Sequence, residues 1–260
     1  MPRFAANLSM MFTEVPFMER FGRAAAAGFK AVEYLFPYDF PAEDIARELK
    51  RHKLKQALFN LPPGDWGAGE RGLTALPGRE EEFRQALETA LDYAKVLGNT
   101  RVHAMAGILP SNLDRDTARR TYLGNLTRAA ARAAEDGVTI VLEPINQRDM
   151  PGYFLSYTGE AKAVIEEVGA PNLKLQFDLY HCQIMEGDLT KRMEALFPLI
   201  DHMQIAGVPD RHEPDQGEVN YPYLFDQMDG LGFKGWVGCE YRPKGATEEG
   251  LDWFRAATGS

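Results

Sequence analysis

The chain has little of what marks several protein classes. Only two of its 260 residues are cysteine, Cys182 and Cys239. They lie far apart and match no zinc or redox spacing, which excludes a disulfide framework and reads as two reduced, buried thiols. Each neighbours a candidate ligand described below, so oxidation of either would disturb that site. No stretch of 18 apolar residues is present, and MPRFAANLSMMF lacks a charged segment leading into a long apolar one and a cleavage site. These features predict a soluble, cytoplasmic protein with no membrane partner. Basic residues are the minority, 29 against 38 acidic, giving a net charge of -9 and a pI near 5.2, which argues against nucleic acid as a partner.

Other motifs are missing too. There is no Walker-type loop, and GAGERG at 67–72 follows a Pro-Pro turn and Trp66 without opening a βαβ unit, so its GxGxxG letters carry no nucleotide reading. No Gly-x-Ser-x-Gly elbow supports serine nucleophile chemistry. No Ser/Gly/Pro linker or low-complexity stretch divides the chain, which favours a single domain over 1–260.

What is present is a β/α rhythm. Strand-like runs begin near Arg3, Ala31, Leu54, Thr100, Val138, Leu173, Asp201 and Gly235. Between them apolar residues recur at helical spacing: Phe17, Phe21 and Ala24 or Ala25; Phe83, Leu87, Leu91 and Ala94; Leu123, Leu126 and Ala130; Ala161, Val164 and Ile165. Gly28, Gly98, Gly137, Gly169 and Gly232 punctuate helix ends, Pro16 and Pro41 suit first turns, and Thr247 before two glutamates suits an N-cap. Eight such units predict an α/β protein, a single (β/α)8 TIM barrel. Two connections exceed the usual loop length: 62–78, rich in glycine and proline and read as a lid over the active site, and 208–221.

Four consecutive strand-like runs close on an oxygen-bearing side chain: TIVLE at Glu143, LKLQFD at Asp178, HMQ at Gln204 and GWVGCE at Glu240. The intervals are 35, 26 and 36 residues, each enough for a strand, a helix and loops. A lone glutamate at a barrel rim is equally well explained by a salt bridge, but four in succession converge at the C-terminal mouth. Three carboxylates and an amide suit a hard divalent cation, Mg²⁺ or Mn²⁺. Glu143 and Glu240, from strands five and eight, can approach a substrate from different directions and move a proton between adjacent carbons. His181 follows Asp178 by three residues and Arg211 follows Gln204 by seven, placing an imidazole and a guanidinium near substrate oxygens. His52, His103, His202 and His212 form no ligand spacing.

The blocks ANLSMMF, FPYDF, NLPPGDWGAGERG, LEPIN, QFDLYHCQIMEGDL, QIAGVPDRHEPDQGEVNY and GWVGCEY together resemble the hydroxypyruvate isomerase family of xylose-isomerase-like barrels. The resemblance implies metal ligands at Glu143, Asp178, Gln204 and Glu240, with Glu143 and Glu240 as proton donor and acceptor. It implies substrate contacts at His181 and Arg211, and Arg71 or Arg211 as holder of a substrate carboxylate. Asn60, Trp66 and Glu70, in the same NLPPGDWGAGERG block as Arg71, join the substrate-binding candidates. The implied substrate is a small hydroxy-oxo acid, with hydroxypyruvate and tartronate semialdehyde interconverted through an enediolate. Gln204 replaces the ligating histidine of related epimerases and Asp149 their usual glutamate, which weakens a ketose-epimerase reading. A 2-oxo-tetronate isomerase shares every motif. An endonuclease IV-like phosphodiesterase and a non-catalytic barrel are remoter alternatives, and a homodimer is a family-level expectation.

Overall fold

The computed structural model describes residues 1–259. Eight strands alternate with helices: β1 (Arg3–Asn7), α1 (Phe17–Ala26), β2 (Ala31–Glu33), α2 (Ala42–His52), β3 (Lys55–Asn60), α3 (Glu80–Leu97), β4 (Arg101–His103) and α4 (Arg115–Glu135). The second half continues with β5 (Thr139–Leu142), α5 (Thr158–Val168), β6 (Leu173–Asp178), α6 (Leu179–Met185), α7 (Leu189–Leu196), β7 (Ile200–Ile205), α8 (Tyr221–Gly230), β8 (Trp236–Cys239) and α9 (Asp252–Thr258). Every neighbouring pair is parallel, and β1 closes on β8 from Arg3↔Trp236 to Ala6↔Cys239, making a complete (β/α)8 barrel. Each strand begins within a residue of its expected start, because the apolar runs there are too short for helices and face a core on both sides.

The helical stripes pack as their spacing requires. Phe83, Leu87, Leu91 and Ala94 of α3 are buried, as are Ala161, Val164 and Ile165 of α5. Burial of a leucine this size contributes about 1.5–3 kcal/mol. In α4 the buried stripe runs through Ala118, Tyr122, Leu126, Ala129 and Ala133, so Leu123 lies at its edge and is only partly covered. Gly98 and Gly169 terminate α3 and α5 in the left-handed region, at φ 64° and 67°, where a side chain would be strained.

Two boundary expectations shift. Pro16 and Pro41 sit one residue before the first helical turn, with extended ψ that suits the residue entering a helix. Thr247 does not cap: it is the first residue of a 3-10 turn, and its hydroxyl instead accepts from Phe12 N at 2.7 Å, tying the end of the chain to the β1 loop.

Inside the barrel the layers differ in chemistry. Ala5, Ala31 and Ala57 pack together as a small apolar cluster. Toward the C-terminal ends of the strands, Asn7, Glu33, His103, Gln176, His202 and Gln204 are all buried. Burying so many polar groups costs stability unless each is held by a partner, so this layer exists for what lies above it.

Candidate active site and metal centre

Asp178 is both the last residue of β6 and the N-cap of α6. Its Oδ1 accepts from Tyr180 N at 2.8 Å, which satisfies the helix start and leaves Oδ2 aimed into the mouth. Asp178 and Gln204 are register partners across β6 and β7, so they sit at one level. Glu143 follows β5 directly, and Glu240 follows β8 with its N–H on Ile205 O at 3.1 Å. His181, one helical turn after Asp178, brings Nε2 to 3.6 Å from both Glu143 Oε1 and Asp178 Oδ2. Ligand atoms of Glu143, Asp178 and His181 lie within 4.8 Å of one another, all three residues buried.

Glu143 Oε1 and Asp178 Oδ2 have no hydrogen-bond donor. Two buried, unsatisfied carboxylate oxygens, each 3.6 Å from the same His181 nitrogen, are unfavourable by themselves and fit a cation. A small cavity of about 10 Å³, room for one water-sized particle, is lined by Glu143, Gln204, Glu240 and Asn60. Above it opens a chamber of about 340 Å³ lined by Asn60, Trp66, Arg71, Met105, Asp149, His181, Arg211 and Arg242, with Glu143 and Glu240 at its base. The oxygen-rich donor set therefore fits a divalent ion, with the chamber taking a small molecule.

The tautomer of His181 follows from its neighbours. Asp149 N donates to Asn146 Oδ1 at 2.7 Å, so the amide's NH₂ end must face the other way, 2.7 Å from His181 Nδ1. Nδ1 is thereby an acceptor and the proton of the neutral ring resides on Nε2. Burial, helped by Arg211, holds the His181 pKa well below the usual imidazole range. Its short approaches to the carboxylates are thus not ion pairs, and Nε2 presents a donor to the mouth.

Arg211 adopts φ 58°, a left-handed conformation rare outside glycine. The surrounding backbone holds it there, with Arg211 N on Gly207 O and Arg242 N on Arg211 O, each at 2.8 Å. The guanidinium lies 3.0 Å from Glu240 Oε2, 3.8 Å from Asp178 Oδ2 and 4.9 Å from the centre of the Tyr180 ring. Burial pushes the Glu240 carboxyl up to about 8 against the pull of Arg211, and Asp178 up to about 6. Glu143 is raised as well, by burial and then by Glu240 and Asp178. A cation placed among these groups acts in the opposite direction.

Residues 21–257 match the xylose isomerase-like TIM barrel family. The chain belongs to that family. Over its full length it is 58% identical to the 2-oxo-tetronate isomerase of Cupriavidus necator, covering all of that protein. It is 46% identical to the hydroxypyruvate isomerase of Escherichia coli, over 98% of both chains. Among solved structures, one titled AP endonuclease, family 2, from Brucella melitensis superposes with a TM-score of 0.97 at 56% identity, covering 98% of this chain and 99% of that one. A 3-keto-D-glucoside 4-epimerase from E. coli superposes with a TM-score of 0.82 at 21% identity, over 98% of this chain and 99% of that one, a likeness of fold alone. The protein is an isomerase of this family.

The isomerase's remaining candidates fall on either side of the chamber wall. Asn60 is buried and faces Met105, while Trp66 is half-exposed, edge-on to Phe36 at 5.1 Å, with the Arg71 guanidinium 3.8 Å above its ring. Glu70 lies outside the chamber: Arg79 Nη1 donates to it at 2.5 Å and Asp65 N at 2.6 Å. The segment 62–78 also divides in two. Leu73, Thr74 and Ala75 are buried, with Ala75 N on Ala106 O at 2.8 Å, and a Cβ on Gly72 would meet Met105 O at 2.2 Å. Only the stretch before Gly72 stands over the opening.

Gln204 reaches the small cavity from below, its amide held at both ends. Nε2 donates to Glu33 Oε1 at 2.8 Å, and Oε1 accepts from Gln176 Nε2 at 2.5 Å. Sequence reasoning passed over Asn146, Arg242 and Glu33. Glu33 carries the signal that flagged Glu143, since AVE is an apolar run closing on a carboxylate at a strand end. Asn146 and Arg242 gave no such signal, because their places come from loop geometry. Among the described residues no helix is long and apolar enough to cross a membrane.

Proposed function

We propose that the protein interconverts a 3-hydroxy-2-oxo acid and the corresponding 2-hydroxy-3-oxo acid by moving one proton between C2 and C3. The hydroxypyruvate and tartronate semialdehyde pair is its shortest substrate. The observation that carries this reading is the pair Glu143 and Glu240, both buried at the base of one chamber. Such a pair, one on each side of a substrate, suits one group as acid and the other as base.

Glu143, Asp178, Gln204 and Glu240 would hold the divalent ion, Mg²⁺ or Mn²⁺. When bound, the ion supplies Lewis-acid polarisation of a carbonyl oxygen and favours negative charge as it develops. One of the two glutamates takes the proton from the hydroxyl-bearing carbon, giving an enediolate; the hydroxyl proton passes from that carbon's oxygen to the neighbouring oxygen, and the other glutamate returns a proton to the neighbouring carbon. His181 Nε2–H donates to the substrate oxygen beside the reacting carbons, a role its neutral tautomer supports and its use as a ligand would not. Arg211, already stacked over Tyr180 and aimed at the acidic cluster, holds the substrate carboxylate. Of the two arginines it is favoured over Arg71 because it lies beside Glu240 and Asp178 with its side chain only 12% exposed, and a charge-assisted bond is stronger in so enclosed a place. Trp66 and Arg71, on the exposed part of the 62–78 segment, close over the chamber and keep water from the enediolate.

A second reading, isomerisation of the four-carbon acid 2-oxo-tetronate, is favoured by the 58% identity to a full-length relative of that name. Both acids share C1 to C3, so the same residues serve, and the fourth carbon would lie against Leu35, Ile145 and Met150 in the chamber wall. A phosphodiesterase reading finds less support. Among the described residues one acidic cluster with a single histidine forms, and the net charge of -9 opposes a nucleic acid. The protein would act in the cytoplasm on a free small acid, as a homodimer by family expectation.

The deciding experiment incubates purified protein with hydroxypyruvate or 2-oxo-tetronate and Mg²⁺ or Mn²⁺, following products by NMR. The ratio of kcat/KM values ranks the two acids. Conversion of neither, with solvent deuterium absent from recovered substrate, would overturn the proposal.

A further inference from the structure

Glu33, 1% exposed, lines the small cavity beside Gln204, Glu143 and Glu240 but not the chamber that takes the substrate. Its carboxylate gathers donors from two strands. Asn7 Nδ2 of β1 and Gln204 Nε2 of β7 reach Oε1 at 3.1 and 2.8 Å, and His202 Nε2 of β7 reaches Oε2 at 2.7 Å. The fold clears room for it on a third strand: a Cβ on Gly238 of β8 would come within 2.3 Å of both carboxylate oxygens.

We infer that Glu33 is a positioning residue that fixes which end of the Gln204 amide serves the metal site. The inference rests on the reading of Gln204 as a ligand. An amide has two ends of similar shape and only the carbonyl oxygen coordinates a cation. A carboxylate accepts hydrogen bonds and offers none, so it takes the NH₂ end of Gln204 and no other. The oxygen is then set against Gln176 Nε2 with one lone pair in use and its second free. Without this one-way contact the amide can turn over and present N–H to the ion. Outer partners of metal ligands commonly act in this way, and their loss weakens metal binding about 10–100-fold.

The test is a cycle of calorimetric Mn²⁺ titrations of the whole protein, with thermal melts of the metal-free forms as a control for folding. E33Q keeps size and shape but removes the polarity, since a glutamine there offers either an oxygen or an NH₂ to Gln204. It is expected to raise the Mn²⁺ Kd about 10–100-fold. Q204E carries two equivalent oxygens and needs no orientation, so adding E33Q to Q204E is expected to leave the Kd unchanged or lower it. A merely structural contribution from Glu33 would weaken binding in both backgrounds, and that result overturns the inference. If E33Q does not fold, G238A displaces the same carboxylate without changing its charge and is expected to weaken Mn²⁺ binding by about tenfold or more; unchanged affinity overturns it. Q204L separates the two readings. Unchanged Kd in Q204L removes Gln204 from the ligand set and this inference with it, whereas weaker binding in Q204L beside unchanged binding in E33Q removes only the role of Glu33.

Discussion

Asn146 Nδ2 sits 2.7 Å from His181 Nδ1, and this contact, with the Asp149 N–H occupying the other end of the amide, decides which ring nitrogen bears the proton. Nε2–H is then a donor left free for the mouth, 3.6 Å from Glu143 and Asp178 and bonded to neither. In Asn146→Asp the new carboxylate accepts from Nδ1–H, the proton leaves Nε2, and the ring becomes a competing metal ligand. The expected outcome is a fall in kcat of about 10²-fold or more, the scale of one lost transition-state hydrogen bond, with Mn²⁺ affinity held or increased. Unchanged kcat would show that the tautomer of His181 does not matter to the reaction.

The carboxylate pair makes a sharper demand. Glu143→Gln and Glu240→Gln each keep shape and remove the proton-transferring group, so each is expected to lower kcat by about 10²–10⁴-fold while the protein stays folded. Solvent deuterium incorporation separates their roles. The variant lacking the base should stop exchange into the substrate, whereas one lacking only the returning acid can still exchange. Turnover near wild type in either would remove that residue from proton transfer.

Arg211 is expected to act on substrate binding. Arg211→Lys retains charge but loses the fork and the stacking over Tyr180, and one charge-assisted hydrogen bond is worth about 1.5–3 kcal/mol. KM for the acid should rise about 10–100-fold, with a smaller change for a substrate analogue whose carboxylate is an amide. Arg71→Lys, on the 62–78 segment over Trp66 and away from the acidic cluster, should change KM less. A larger effect at Arg71 would transfer the carboxylate-binding role to it.

Metal-free stability should fall as pH rises from about 6.5 to 8. Burial raises the folded-state pKa of Glu240 to about 8 and that of Glu143 above the ordinary range. Over that window the folded state holds more protons than the unfolded state, and the slope of stability with pH is negative. His103, lowered to about 3 by burial, and His181 act below about 6.5, where the unfolded chain takes up protons that the folded chain refuses. Thermal melts in chelator across pH 6.5–8 check this. Added Mg²⁺ or Mn²⁺ should stabilise more at pH 8 than at pH 6.5, since the ion displaces protons from the carboxylates. A flat metal-free profile would mean that the cluster is already ionised without metal.

The barrel was legible in the sequence because each of its units is local. An apolar run of three to six residues, a helical stripe and a glycine whose φ suits a helix end are short-range signals, and eight β/α units in order admit few topologies. The convergence of Glu143, Asp178, Gln204 and Glu240 followed from the same logic, since residues at the C-terminal ends of parallel barrel strands share one mouth. Short-range signals did not reach the loops. Nothing in the order of residues shows that Glu70 turns outward to Arg79, that Asn146 selects the tautomer of His181, or that Arg211 is held left-handed over Tyr180. Those facts depend on contacts between side chains far apart in the chain, with |i−j| of 35 for Asn146 and His181 and 171 for Gln204 and Glu33. The sequence by itself determined the eight strands and which strand ends carry oxygen. Only the tertiary structure decided how each of those oxygens is aimed, because aim is set by buried hydrogen bonds whose partners come together after the barrel closes.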